Sequence, residues 1–142
     1  MVIEQVKAEY FEQVWELQKT IAPLDRERAE GEAALQAMVE DENCLLAVAR
    51  EGEEILGTVT GVCCRGLLSS FLVIEDMVVR EDCRGQGIGG RLMEAMDAFA
   101  RERGCLYGIL VSSGFRKEAH RFYEQHGFVE EVRGFRKGYR TE

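Results

Sequence analysis

The chain has 142 residues, 46% of them apolar, with one proline. That composition suits a single globular domain over 1–142 and argues against a disordered chain. Eighteen basic residues against 26 acidic ones leave a net charge of −8, which argues against partners such as nucleic acid or an anionic membrane, both of which are gripped by Lys and Arg.

Residues 2–7 alternate as a short strand. Residues 9–20 place Phe11, Val14, Trp15 and Leu17 at helical spacing. A second helical stretch runs from Asp25 to Val39, with Leu35, Met38 and Val39 as its apolar side. Strands follow over 44–50 and 55–63, joined by a short turn containing Gly52. A longer strand covers 71–80. The next helix spans 87–103, with Ile88, Leu92, Ala95, Met96 and Phe99 on one face and Gly104 as its stop. Strand 106–112, helix 116–126 and two closing strands, 128–132 and 134–139, complete the order. This predicts a mixed α/β (α+β) fold, a mostly antiparallel sheet of about seven strands flanked by about four helices.

The N-terminus shows no basic leader or apolar core, and no apolar run approaches about 18 residues, so neither a signal peptide nor a membrane span is expected. Five cysteines, Cys44, Cys63, Cys64, Cys83 and Cys105, are odd in number and lack C-x-x-C spacing. They predict reduced thiols and a cytoplasmic setting. His120 and His126 are six apart, which does not make a same-face metal pair, and no metal is expected.

The run Arg84-Gly85-Gln86-Gly87-Ile88-Gly89-Gly90 lies between a strand and a helix. Glycine lets backbone approach a ligand closely, and the following helix start offers unpaired N–H groups and partial positive charge. Together they favour a phosphate or pyrophosphate. Gly85, Gly87 and Gly90 fit the dinucleotide fingerprint G-x-G-x-x-G, but no acidic residue ends the next strand, as that reading requires. A phosphate loop of the Walker type needs Lys and Ser or Thr where Arg91-Leu92 stand.

Arg84-x-x-Gly87-x-Gly89 resembles the acyl-CoA pyrophosphate loop of the GNAT superfamily of N-acetyltransferases. Ile74-Glu75-Asp76-Met77-Val78-Val79 resembles that family's fourth strand. Ala119-His120-Arg121-Phe122-Tyr123-Glu124-Gln125-His126-Gly127-Phe128 resembles its A-x-x-F-Y-x-x-x-G-F helix. The motifs span roughly residues 72–128. The resemblance implies a cleft where two strands splay, with acetyl-CoA as co-substrate. Met77, Val78 and Val79 would line the pantetheine and acetyl group, and Arg84, Gly85, Gln86, Gly87, Ile88, Gly89 and Gly90 would hold the pyrophosphate. The reaction would be direct attack of a primary amine on the thioester in a ternary complex. Many members carry Asn where this chain has Arg116, so Arg116 would meet a CoA phosphate or the acceptor instead. The run from Arg116 to Tyr123 is also similar to aminoalkylphosphonate and aminoglycoside acetyltransferases. Homodimers are common in the family.

Two proton demands follow. A free alkyl amine is mostly protonated at neutral pH and needs a base, and the leaving thiolate benefits from an acid. The resemblance gives Tyr123 the acid's place. Glu75 is the candidate base, with an ion pair to Arg80 or Arg84 as the alternative use of the carboxylates at 75 and 76. Neighbouring strand residues point to opposite faces, so Glu75 and Asp76 share a pocket only if the strand bulges. A catalytically silent acyl-CoA-binding or sensing module is the rival reading.

Residues 1–54 hold 14 acids and 5 bases, a net of −9, whereas residues 55–142 hold 12 acids and 13 bases, a net of +1. Asp25, Glu27, Glu30 and Glu32 are therefore candidates to border a groove for a cationic amine, by electrostatic steering.

Overall fold

The computed structural model describes residues 1–22, 26–111 and 117–140. It divides into two compact units, Met1–Leu110 and Val111–Glu142. The first holds strand β1 (Val2–Gln5), a 3-10 turn at Ala8–Tyr10, and helices α1 (Phe11–Gln18) and α2 (Arg28–Glu40). Strands β2 (Cys44–Glu51), β3 (Glu54–Cys64) and β4 (Ser70–Val79) follow, then a 3-10 turn at Glu81–Cys83, helix α3 (Ile88–Glu102) and strand β5 (Cys105–Leu110). The second unit holds α4 (Lys117–Gln125).

The five strands form one sheet in sequence order. The first three neighbouring pairs are antiparallel, and β4 and β5 are parallel, because a helix rather than a tight turn connects them. The sheet has five strands where about seven were expected: among the described residues, 128–140 form no strand. The apolar positions Val129, Val132, Phe135 and Tyr139 stand among six charged side chains and two glycines. A lone hairpin of that composition is marginal without further strands.

α1 and α2 cover one face. Phe11, Val14, Leu17 and Leu35 pack there with Leu46, Val48, Ile55 and Val78 in one buried cluster. The two helices meet at Gly31, where an added Cβ would lie 2.3 Å from the Trp15 ring. Arg28 ties them further through ion pairs with Glu12 and Glu32. α2 starts on a reciprocal capping box between Glu27 and Glu30, which satisfies amides that the helix itself leaves unpaired.

α3 covers the opposite face. Its buried stripe of Ile88, Leu92, Met93, Met96 and Phe99 follows helical periodicity. Two glycines on β3 let it sit close. A Cβ on Gly57 would lie 3.1 Å from Leu92 Cδ1, and one on Gly61 would lie 2.6 Å from Met96 Sδ. Near the α3 C-terminus, the Cys105 thiol donates to Cys63 Sγ at 3.5 Å. Burial, then the Cys63 hydrogen bond, pushes the Cys105 thiol up to about 11.

Candidate active site

β4 carries an extra residue. Thr58 pairs with Val78 while Thr60 pairs with Glu75, so the register slips by one between them. Asp76 takes φ of 53°, the one non-glycine residue with positive φ among those described. That is a β-bulge, and it resets the side-chain alternation. Ile74 pairs with Gly61 on the α3 face, whereas Val78 belongs to the core beneath α1 and α2. On a regular strand, residues four apart would share one face. The bulge required for the two carboxylates is therefore present, and both Glu75 and Asp76 are exposed.

β4 also outruns β5. Their pairing ends at Ile74 and Leu110, while β4 stays paired with β3 as far as Val79. Among the described residues, 75–79 thus have no β5 partner along one backbone edge. Val78 is only 8% exposed and its side chain is committed to the core, so it has only its backbone to offer a ligand. Met77 and Val79 are half-buried.

The glycine-rich turn follows the 3-10 turn at Glu81–Cys83. Gly85 and Gly87 both have φ of 81°, and Gly87 is the N-cap of α3 in the left-handed conformation. L side chains avoid that region, which explains glycine at these two positions. Among the described residues, none of the backbone N–H groups of residues 85–90 donates to a backbone carbonyl. Gly85, Gln86 and Gly87 are exposed, Gly89 and Gly90 partly so, and Ile88 is buried as the first residue of the α3 stripe. The turn offers what an anion cradle needs: adjoining amides without backbone partners, a helix start, and the exposed Arg84 beside them.

Arg84 is held against the end of β4, donating from Nε to the Val79 carbonyl at 3.2 Å. Arg80 is engaged by Asp82 at 2.7 Å and by Glu54 at 3.9 Å. Neither arginine pairs with Glu75 or Asp76. Burial, then the Asp76 charge, raises the Glu75 carboxyl above its ordinary value, the direction a proton acceptor for an amine requires.

In the second unit, Tyr123 lies on α4 between two aromatic rings, 5.6 Å from Phe122 and 6.5 Å from Phe128, both edge-on. Its carbonyl accepts the amides of His126 and Phe128 at 3.0 Å, which closes the helix before Gly127. Arg116 and Asp25 lie outside the described residues. Of the remaining acids proposed for an acceptor groove, Glu27 and Glu30 cap α2 and Glu32 pairs with Arg28. No group of three or more His, Cys, Asp or Glu side chains able to hold a metal occurs among the described residues, and none of their helices is long and apolar enough to cross a membrane.

Sequence reasoning did not single out Thr60, which the register places opposite Glu75, or Gly57, which seats the start of α3. The only signal for Gly57 was a glycine inside an apolar strand, a mark of close backbone approach.

A strand that bulges and outruns its neighbour leads into an amide-lined turn, and comparison with known proteins assigns this fold to a family. The model of the acetyltransferase (GNAT) family matches residues 11–128, and the chain belongs to that family. It is 29% identical over 107 residues to the "Uncharacterized N-acetyltransferase YhfO" of Bacillus subtilis (strain 168), spanning 71% of this chain and 69% of that protein. Among solved structures, a transcriptional regulator from Bacillus halodurans C-125 matches with a TM-score of 0.87 at 30% identity, over 97% of this chain and 99% of that one. AAC(6')-Iy in complex with the bisubstrate analog CoA-S-monomethyl-acetylneamine matches with a TM-score of 0.83 at 16% identity, over 99% and 98% of the two chains. That last likeness is one of fold.

Proposed function

We propose that this protein transfers an acetyl group from acetyl-CoA to the primary amine of a small molecule. One observation carries the reading: the unpaired amides of residues 85–90 sit at the start of α3, immediately beyond the open edge of β4. The turn takes the CoA pyrophosphate, with Arg84 adding a fixed cation. The backbone of Met77, Val78 and Val79 takes the pantetheine arm, whose amides need strand-like partners. A bisubstrate analog built on CoA in AAC(6')-Iy supports the same ligand class.

The acceptor nitrogen attacks the thioester carbonyl carbon and the carbon–sulfur bond breaks. Glu75 takes the proton lost by the amine, directly or through water. Tyr123 gives a proton to the departing sulfur, so the products are the N-acetyl amine and free CoA thiol. Strand amides that polarise the carbonyl oxygen stabilise the charge that develops there. The net charge of −9 over residues 1–54 favours a cationic acceptor by steering, an effect that weakens with salt.

A thiol-release assay with acetyl-CoA and a panel of polyamines, aminoglycosides, amino acids and a basic peptide tests the reading. Release dependent on an amine, and lost in Glu75→Gln, is the expected result. Tight CoA binding without release for any acceptor favours the second reading, an acyl-CoA-sensing module. The Bacillus halodurans structure described as a transcriptional regulator is the observation behind that alternative.

A further inference from the structure

The register of β3 against β4 puts Thr60 directly opposite Glu75. Opposed residues share a face, with Cβ atoms roughly 4.5–5.5 Å apart. A threonine hydroxyl and a glutamate carboxylate at that separation can share one bridging water. Thr60 is 6% exposed, one of two buried polar residues among those described. The other, Thr58, already accepts a hydrogen bond from Gln18 Nε2 at 3.4 Å. Thr60 has no such partner: its hydroxyl makes no hydrogen bond with a described residue, yet it is not sealed from solvent. A buried hydroxyl left open on a strand face commonly serves a neighbour or a ligand. Valine would fill the same space in this apolar sheet without any polar demand.

We propose that Thr60 is a positioning residue, whose hydroxyl donates to the Glu75 carboxylate through one water and aims it at the incoming amine. The proposal rests on the assignment of Glu75 as proton acceptor. It depends on the bulge, because the register of Thr58 and Val78, continued without the slip, would set Asp76 opposite Thr60 and turn Glu75 to the α3 face.

The surroundings of Glu75 hold few competing charges. Asp76 is its charged neighbour on β4. From β3 only the hydroxyls of Thr58 and Thr60 share its face. From α1, Gln18 is neutral and Lys19 is paired with Glu16 at 3.0 Å. On β5, Tyr107 stacks on Phe71 at 5.2 Å and Cys105 is engaged with Cys63. Arg80 is engaged by Asp82 and Glu54. Donation by Thr60 favours the charged carboxylate and opposes the upward push of burial and Asp76.

The test compares wild type with Thr60→Val, which keeps the shape, and Thr60→Ser, which keeps the hydroxyl. Carbon-13 NMR titration of the Glu75 carboxyl reads its ionisation without needing turnover, with Glu75→Gln identifying the signal. Thr60→Val is expected to move the Glu75 midpoint up by about one pH unit, and Thr60→Ser to leave it in place. The acid limb of kcat/KM for the best amine is expected to move with it, and Glu75→Gln is expected to abolish any further effect of Thr60→Val. An unchanged Glu75 midpoint in folded Thr60→Val overturns the proposal. If the NMR midpoint moves but no amine supports turnover, the positioning contact stands and the enzymatic reading falls. If Thr60→Val does not fold, the Thr60→Ser and Thr60→Ala pair decides: equal midpoints overturn the proposal, and a raised midpoint in Ala alone supports it.

Discussion

Gly57 on β3 faces Leu92 on α3 so closely that an added methyl group would lie 3.1 Å from Leu92 Cδ1 and 3.1 Å from the Val78 carbonyl oxygen. The second contact is backbone and belongs to the strand that carries the site. A side chain at 57 therefore pushes α3 and β4 apart where the anion cradle joins them.

Gly57→Ala is expected to destabilise the fold by about 1–3 kcal/mol, the usual range for overpacking, and to weaken CoA binding at the same time. Gly61→Ala meets mainly the Met96 thioether, a flexible neighbour that can yield. It is expected to lower Tm while leaving CoA affinity near wild type. Thermal melts and calorimetry on the two variants check the contrast.

Gly87 and Gly52 separate strain from function. Both have positive φ, 81° and 60°, and an added Cβ meets nothing within 4 Å at either. Alanine at each carries a similar left-handed penalty of about 1–2 kcal/mol. Only Gly87→Ala disturbs the amides proposed for the pyrophosphate, so its CoA Kd is expected to rise at least about tenfold, whereas Gly52→Ala, in the β2–β3 turn, is expected to bind normally. Equal affinities in the two variants would count against the cradle.

Gly31→Ala places a methyl carbon 2.3 Å from an indole carbon of Trp15, and the indole is stacked on Phe11 at 5.3 Å. The aromatic pair cannot step aside cheaply, so α1 and α2 must separate. Expected are a loss of about 1–3 kcal/mol and a red-shifted Trp15 emission, read by urea unfolding and fluorescence.

Acid sensitivity follows from Asp82. The hydrogen bond from Arg80 holds its carboxyl down at about 2, against an ordinary value of 3.8. A carboxyl depressed in the folded state contributes stability above its unfolded value, and that contribution is lost as pH falls through the folded one. Asp82→Asn is expected to melt below wild type at pH 5 and above, with the two curves converging as pH falls from about 4 to 2.

Much of this arrangement is legible in the residue order. The turn from Arg84 to Gly90 announces itself because left-handed backbone restricts residue choice, and helix α3 because its apolar spacing is regular. Helix α4 carries its motif openly. The bulge at Asp76 is hidden, since no glycine marks it and the alternation on either side reads as one strand. Thr60 is hidden for the same reason: its partner depends on a one-residue slip that only pairing reveals. Residues 128–132 and 134–139 alternate as strands do, yet alternation proposes a strand and neighbouring backbone must complete it. The acids at 27, 30 and 32 read from composition only as a charged surface, and the sequence does not show that two of them also cap α2 and one pairs with Arg28.

The most direct test of the central assignment is an amide-resolved NMR titration of the whole chain with CoA. Saturable shifts concentrated on Gly85 through Gly90, with smaller ones at Met77 to Val79, are the expected result. Absence of binding, or saturation that leaves those amides unmoved, contradicts the assignment of this turn as the pyrophosphate site.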